Sequence, residues 1–214
     1  MLSDYAAIKN GSYGKLMKAY YAKQDAEKLS GKGDTSQKLT LMKTSADSLK
    51  KSADALNDSS LWGKKKIKKK DEKTGEEIEV EDYDWDKITK AVKSFVEDYN
   101  DVVKEAGESN TKDVLRNASW MTGMTDKNSN MLAKIGITIG KGNKLELDED
   151  ALKQADISSL KTVFTGYNSF VSKISQKATG ISNAANRASA TYTNNGTYSK
   201  TDSSLTSSKI DKEV

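Results

Sequence analysis

The sequence predicts a mainly α protein, an elongated antiparallel helical bundle or coiled coil carrying two small β-hairpins. Three observations predict it. Apolar or small residues recur at alternating spacings of four and three in three separate stretches, the 214-residue chain contains no proline, and two short stretches alternate around turn residues. A repeat averaging 3.5 residues lays one continuous stripe along a helix, and such a seam needs a partner. Three seams in one chain can bury one another.

The first seam is Leu39, Met42, Ala46, Leu49, Ala53 and Leu56. Before it, residues 1–33 read as an N-terminal helical segment in which Leu2, Tyr5 and Ile8 are followed by a glycine turn and then by Leu16, Met17, Tyr20 and Tyr21. Gly31 and Gly33 end that pattern. Asp34, Thr35 or Ser36 can then cap the seam helix, expected to run to about Asn57, and Gly63 stops the periodicity. Residues 64–70 read Lys-Lys-Lys-Ile-Lys-Lys-Lys, while residues 71–86 hold nine acids against the single Lys73. With Thr74-Gly75 as the turn, the two runs face each other as a hairpin near residues 64–81. Each cross-strand ion pair there contributes at most about 1 kcal/mol.

The second seam, Ile88, Val92, Phe95, Tyr99, Val102 and Ala106, starts at Trp85 or Asp86 and ends near Gly107. Two shorter helices follow, one with Val114, Leu115, Ala118 and Met121, the other with Met131, Leu132 and Ile135. Ile137-Thr138-Ile139 and Leu145-Glu146-Leu147 alternate on either side of Gly140-Lys141-Gly142-Asn143, which predicts a second hairpin at 137–147. Asp148 caps a helix through Leu152 and Ala155, and a turn carrying Ile157, Leu160, Val163 and Phe164 leads through Gly166 into the third seam. That seam is Tyr167, Val171, Ile174, Ala178, Ile181, Ala185, Ala188 and Tyr192. Residues 34–188 thus form a helical stalk with two hairpins. Residues 189–214 are a polar tail, rich in serine, threonine and asparagine, expected to be disordered outside an assembly.

Composition narrows the function. Only 35% of residues are hydrophobic and 31% are charged, against a usual apolar share of about 45 to 50%, so an extended bundle with much exposed surface is expected over a compact globule. Cysteine and histidine are absent, which removes disulfides, thiolate chemistry, most zinc sites and the commonest acid/base at neutral pH. The expectation is a protein that is not an enzyme and uses no cofactor, metal or small-molecule substrate. No apolar run in Met1 to Ser12 suits a signal peptide, and none in the chain approaches the roughly 20 residues of a membrane span. A soluble protein exported without a cleaved signal is expected, with the cytoplasm as the alternative.

The net charge of +4 could point to nucleic acid or anionic lipid. Against both, Arg116 and Arg187 are the only arginines, so the planar fork used for phosphate and base recognition is scarce. Asp82, Asp84 and Asp86 have the first three spacings of a calcium loop, but Lys87 and Lys93 stand where glycine and glutamate are needed. Asp148, Glu149 and Asp150 could form an acid/base cluster, yet they fall where a helix begins and carboxylates favour its dipole. Trp62, Trp85 and Trp120 each fall near an expected element end, where packing accounts for them.

Four segments carry a family resemblance in order. They are Phe95-Val96-Glu97-Asp98-Tyr99-Asn100-Asp101-Val102-Val103, Leu132-Ala133-Lys134-Ile135-Gly136-Ile137, Lys144-Leu145-Glu146-Leu147-Asp148-Glu149-Asp150-Ala151-Leu152, and Val163-Phe164 before the long seam. From Ile88 to about Ala188 the chain resembles the carboxy-terminal region of the flagellar filament cap protein, hook-associated protein 2. The resemblance implies a coil-forming stalk that assembles by polymerisation at a filament tip and leaves the cell by the flagellar export route. Residues 1–85 show neither the family's amino-terminal coil nor its inserted β-rich domains, and the tail after Ala188 also departs from the pattern.

The expected function is therefore structural, in flagellar cap assembly outside the cell, with protein partners: another copy or filament components. The interaction seam is expected at Ile88, Val92, Phe95, Tyr99, Val102, Tyr167, Val171, Ile174, Ala178, Ile181, Ala185 and Ala188. Two alternatives stand beside it. One is an intracellular coil-based adaptor or chaperone-like module, the other a lysine-patch binder of nucleic acid or membrane surfaces.

Overall fold

The computed structural model describes residues 33–70 and 77–191. The expected N-terminal helices and the tail from Tyr192 onward lie outside those residues. In chain order the described elements are α1 (Ser36–Asn57), a 3-10 turn (Ser59–Trp62), β1 (Lys64–Lys70), β2 (Glu77–Tyr83), α2 (Trp85–Glu108), α3 (Lys112–Lys127), α4 (Ser129–Ala133), β3 (Ile137–Ile139), a second 3-10 turn (Lys141–Asn143), β4 (Leu145–Leu147), α5 (Glu149–Gln154), α6 (Ile157–Phe164) and α7 (Phe170–Thr191). The mainly α class with two small hairpins is the architecture the chain adopts.

Helices α1, α2, α3 and α7 pack as a bundle in which α7 lies between α1 and α3, and α1 lies between α7 and α2. Neighbours run antiparallel. Ser175 meets Asp54 while Ser182 meets Asp47, so numbering rises along α7 as it falls along α1. Across α2 and α3 the Tyr99 hydroxyl donates to Thr125 Oγ1 at 2.9 Å, which closes the ring of four.

Side-chain caps mark where the helices begin, because the first N–H groups of a helix have no partner within it. Thr35 accepts from the Lys38 amide at 3.3 Å, Asp84 from that of Lys87 at 3.2 Å, and Asp156 from that of Ser159 at 3.0 Å. Asp148 accepts from the amides of Asp150 and Ala151 at 3.0 and 2.9 Å. Two of the acids considered for chemistry, Asp84 and Asp148, are thus occupied as helix caps.

The heptad residues form the core. Leu39, Met42, Ala46, Leu49, Ala53 and Leu56 of α1 are all buried, as are Ile88, Val92, Phe95, Tyr99, Val102 and Ala106 of α2. At the end of the bundle where α1 finishes, Phe95 sits among Tyr99, Phe164 and Phe170, with ring centroids 6.3, 6.5 and 6.3 Å away. Trp62 stacks on Phe164 at 5.6 Å and donates its indole N–H to the Leu56 carbonyl at 2.8 Å, so the aromatic is buried with its polar atom satisfied.

The hairpins occur where alternation placed them. In the first, Lys65 is paired with Asp82, Lys66 with Glu81, Ile67 with Val80, Lys68 with Glu79 and Lys70 with Glu77, and the strand runs on to Tyr83. In the second, Ile137 pairs with Leu147 and Ile139 with Leu145. Asn100 of α2 fixes that hairpin to the bundle, donating to the Leu145 carbonyl at 2.9 Å and accepting from its amide at 2.7 Å. Gly136 enters the hairpin with φ +78°, and a Cβ there would lie 2.6 Å from the Asp148 carbonyl oxygen, so only glycine fits.

Three details differ from the expectations. Helix α7 begins at Phe170, because Gly166 turns the chain at φ +98°, and Tyr167 is left outside the helix with 82% of its surface exposed. The helix also continues through Ser189 to Thr191, into the stretch assigned to the polar tail. Trp120 lies in the middle of α3 and is 62% exposed, its ring covered in part by the Lys177 ammonium at 5.5 Å.

Truncating the ring that joins three elements should be costly. Phe95→Ala is expected to lower stability by about 3 to 5 kcal/mol, read as a fall in the urea midpoint of the full chain.

Candidate functional site

The seam residues of α7 converge on one buried stripe. Val171, Ile174, Ala178, Ile181 and Ala185 are buried completely, and Ala188 is half-buried against the same core. The remaining seam residues, Ile88, Val92, Phe95, Tyr99 and Val102, line the facing side of that core from α2. Of the seam residues named from the sequence, Tyr192 lies outside the described residues; the structure brings together the others except Tyr167, and does so within one chain.

Small side chains decide how close the helices come. Alanine at 178 and 185 of α7 and at 46 and 53 of α1 alternates with the larger seam residues, and a serine on α7 can reach an aspartate on α1. Ser175 Oγ donates to Asp54 at 2.7 Å and Ser182 Oγ donates to Asp47 at 2.6 Å. Both partners repeat at an interval of seven, each one position after a buried residue of its own seam. Asp47 also accepts from Lys43 at 2.7 Å, and Asp54 from Lys50, one helical turn earlier. At the start of α7's approach, Asn57 Oδ1 accepts from the Gly166 amide at 2.8 Å. The serine–aspartate contacts fix the register, since sliding α7 by one turn on α1 would break both.

The carboxylates respond to this setting. Hydrogen bonds from Lys43 and Ser182 hold Asp47 below the usual value of 3.8. Burial works to raise Asp54, but the bonds from Lys50 and Ser175 outweigh it and the net shift is downward. Asp98 of α2 moves the other way, because burial and the nearby Asp101 and Glu97 disfavour its charge. The Tyr99 phenol is pushed upward by complete burial, only partly offset by Thr125, and stays a neutral donor.

A second polar centre ties the start of α1 to the corner between α2 and α3. Thr111, the N-cap residue of α3, makes no side-chain cap of its own. Asp34, 5% exposed, instead binds the residues that lead into the helix. Its carboxylate accepts from the Ser109 hydroxyl at 2.6 Å, the Asn110 and Thr111 amides at 2.9 Å, and the Thr111 hydroxyl at 2.7 Å. Lys38 lies 3.4 Å away and reaches the Glu108 carbonyl as well. Burial alone would raise the Asp34 pKa, yet the bonds from Ser109, Asn110 and Thr111 with the Lys38 charge bring it below 3.8. Sequence inspection found Asp34 only as a possible cap for α1, because a partner about 75 positions away leaves no periodic trace.

Elsewhere the chemistry-bearing residues are engaged structurally. Glu149 accepts from Lys93 at 3.1 Å, holding α5 against α2 and raising the lysine's pKa. In the first hairpin Lys68 and Glu77 form an ion pair at 3.6 Å, and Lys64 and Lys161 lie over the Tyr83 ring at 5.8 and 5.7 Å. No group of three or more acids among the described residues is arranged to hold a metal ion. No helix among them is long and apolar enough to cross a membrane.

The fold and its buried polar contacts define a helical packing module whose register is set by serine–aspartate pairs and one buried carboxylate clasp. Residues 109–213 match the family model described as the flagellar hook-associated protein 2 C-terminus, and this region of the chain carries that family's pattern. The match covers α3 through α7 and the tail beyond. It begins at Ser109, so the α2 segment Phe95–Val103 that contributed to the sequence resemblance falls outside it, whereas the tail taken as a departure falls inside. Neither the curated proteins nor the solved structures give a match to the chain.

Two substitutions test the site. Asp34→Ala should cost about 2 to 4 kcal/mol near neutral pH, as bonds to a buried charge are lost. Because Asp34 has a depressed pKa in the fold, its contribution is complete above the unfolded value and disappears as pH falls through the folded one. Urea midpoints of variant and wild type should therefore draw together as pH falls below the ordinary value of 3.8 and through the lower folded one. In the seam, Ala178→Leu is expected to lower stability by about 1 to 3 kcal/mol through overpacking, measured in the same way.

Proposed function

We propose that the chain is a non-enzymatic structural component of flagellar cap type, which works outside the cell by assembling with copies of itself or with filament components. The single observation carrying this reading is the family match over residues 109–213. The packing supports it. A flagellar assembly module must hold its shape while its outer surfaces meet neighbours, and the α1–α7 seam with its two serine–aspartate pairs supplies an internal spine. In this reading Ile88, Val92, Phe95, Tyr99, Val102, Val171, Ile174, Ala178, Ile181, Ala185 and Ala188 serve function by keeping that spine closed.

No small-molecule substrate or cofactor belongs to this function. The lysine run does not favour nucleic acid or anionic membrane as partner, because its register sets lysines opposite acids along the hairpin. Export in this reading follows the route serving flagellar axial components.

Two measurements test the proposal. Antibody against the full chain should find it in filaments sheared from the cell surface, and sedimentation velocity should show discrete multi-subunit species that grow with concentration. A protein confined to the cytoplasm and monomeric at every concentration would overturn it.

A further inference from the structure

Among the described residues the first hairpin is a sheet of two strands, and no described helix packs extensively along either of them. Each strand therefore has one edge not paired to another strand, and such an edge presents N–H and C=O groups that can template a further strand. The two edges differ in charge. β1 contains six lysines in seven residues, with Ile67 between them, whereas β2 reads Glu-Ile-Glu-Val-Glu-Asp-Tyr.

Alternation assigns the side chains to faces. Lys64, Lys66 and Lys68 share one face with Tyr83, Glu81 and Glu79, and the other face holds Ile67, Val80 and Ile78, the last 41% exposed, beside the Lys65–Asp82 pair. If two copies met through like edges, β1 would set lysine against lysine and β2 acid against acid, and like charges directly opposite are destabilising. A β1 edge against a β2 edge instead repeats the pairing already made inside each hairpin. Every lysine row then has an acidic row on both sides, and the Ile67, Ile78 and Val80 face continues from one molecule to the next.

We propose that the β1 edge of one copy pairs with the β2 edge of a second copy, joining molecules head to tail through a continued sheet. Such a contact is heterologous, so each copy keeps one free edge of each sign until a ring closes or a linear array ends. This inference deepens the self-association in the preceding reading and rests on it.

The test exchanges the charges while preserving the pairing inside the hairpin. A full-length chain carrying Lys66→Glu, Lys68→Glu, Glu79→Lys and Glu81→Lys inverts the two directly opposed pairs 66–81 and 68–79 and gives up only the exposed diagonal Lys68–Glu77 contact. It should self-associate within about threefold of wild type yet exclude wild type from its assemblies by about tenfold relative to random mixing. Native mass spectrometry of a mixture with isotope-labelled wild type reads both quantities. Wild-type association should also weaken when salt rises from about 0.05 to about 0.5 M, where exposed charges are screened. If circular dichroism shows the fourfold variant unfolded, the register pair Lys68→Glu with Glu79→Lys takes its place.

Random mixing of variant and wild type in full-size assemblies would overturn the hairpin contact and leave self-association standing. A wild-type chain monomeric at all concentrations would overturn both. A monomeric chain whose lysine strand binds poly-L-glutamate, used as the probe, would likewise overturn the proposal and assign the edge to a different acidic partner.

Discussion

The close approach of α7 to α1 is the constraint on which the rest of the bundle depends. Alanines on both helices let the backbones come near enough for Ser175 and Ser182 to reach Asp54 and Asp47. The alanines in these stripes specify register poorly by themselves, because alanine fits against alanine at many offsets. The two hydrogen bonds remove that degeneracy, since only one offset satisfies both. With α7 fixed, its opposite side receives α3, where Gly180 lies so close to Asn117 that a Cβ would come within 2.6 Å of the amide oxygen. The aromatic cluster of Trp62, Phe95, Phe164 and Phe170 then closes one end.

At the other end the closure is electrostatic. Asp34 gathers hydroxyl and amide donors from three consecutive residues of the α2–α3 corner, Ser109, Asn110 and Thr111. One terminus of the bundle is held by ring packing, insensitive to pH, and the other by an ionised carboxylate. Asp47 and Asp54 add two further depressed carboxylates along the seam, so acid acts on one end and on the register together.

Much of this was legible in the sequence, and for a physical reason. The seams of α1 and α2 were readable residue by residue, because a buried helix face must be apolar at heptad spacing and little else in so polar a chain is apolar. The first hairpin was legible from a lysine run facing an acidic one across Thr74-Gly75, and the second from period-two alternation around a glycine turn. Tyr167 was misplaced because the four-three spacing runs on through Gly166 without a break in hydrophobicity, and only backbone geometry reveals the turn. Trp120 was misread for a related reason, as bulk suggests burial while its exposed face is covered by a lysine from another helix. Asp47, Asp54, Ser175 and Ser182 repeat at seven and could have been found by searching for polar residues beside a seam. The Asp34 clasp could not, since nothing local marks a contact between residues so far apart.

The course of the four long helices has a mechanical meaning. The beginning of α1 is held at the α2–α3 corner by Asp34, and the end of α7 reaches the same region, where Arg187 lies 3.5 Å from Asp113 of α3. The lysine–glutamate hairpin leaves from the opposite pole, beyond the end of α1. A force between that hairpin and the pole holding residues 33 and 191 therefore runs parallel to the helix axes. It loads every layer of the seam in shear at once, over the roughly 33 Å of a 22-residue helix, where a pull across the bundle would peel the layers apart singly. The bundle is a strut along one direction and a zipper along the other.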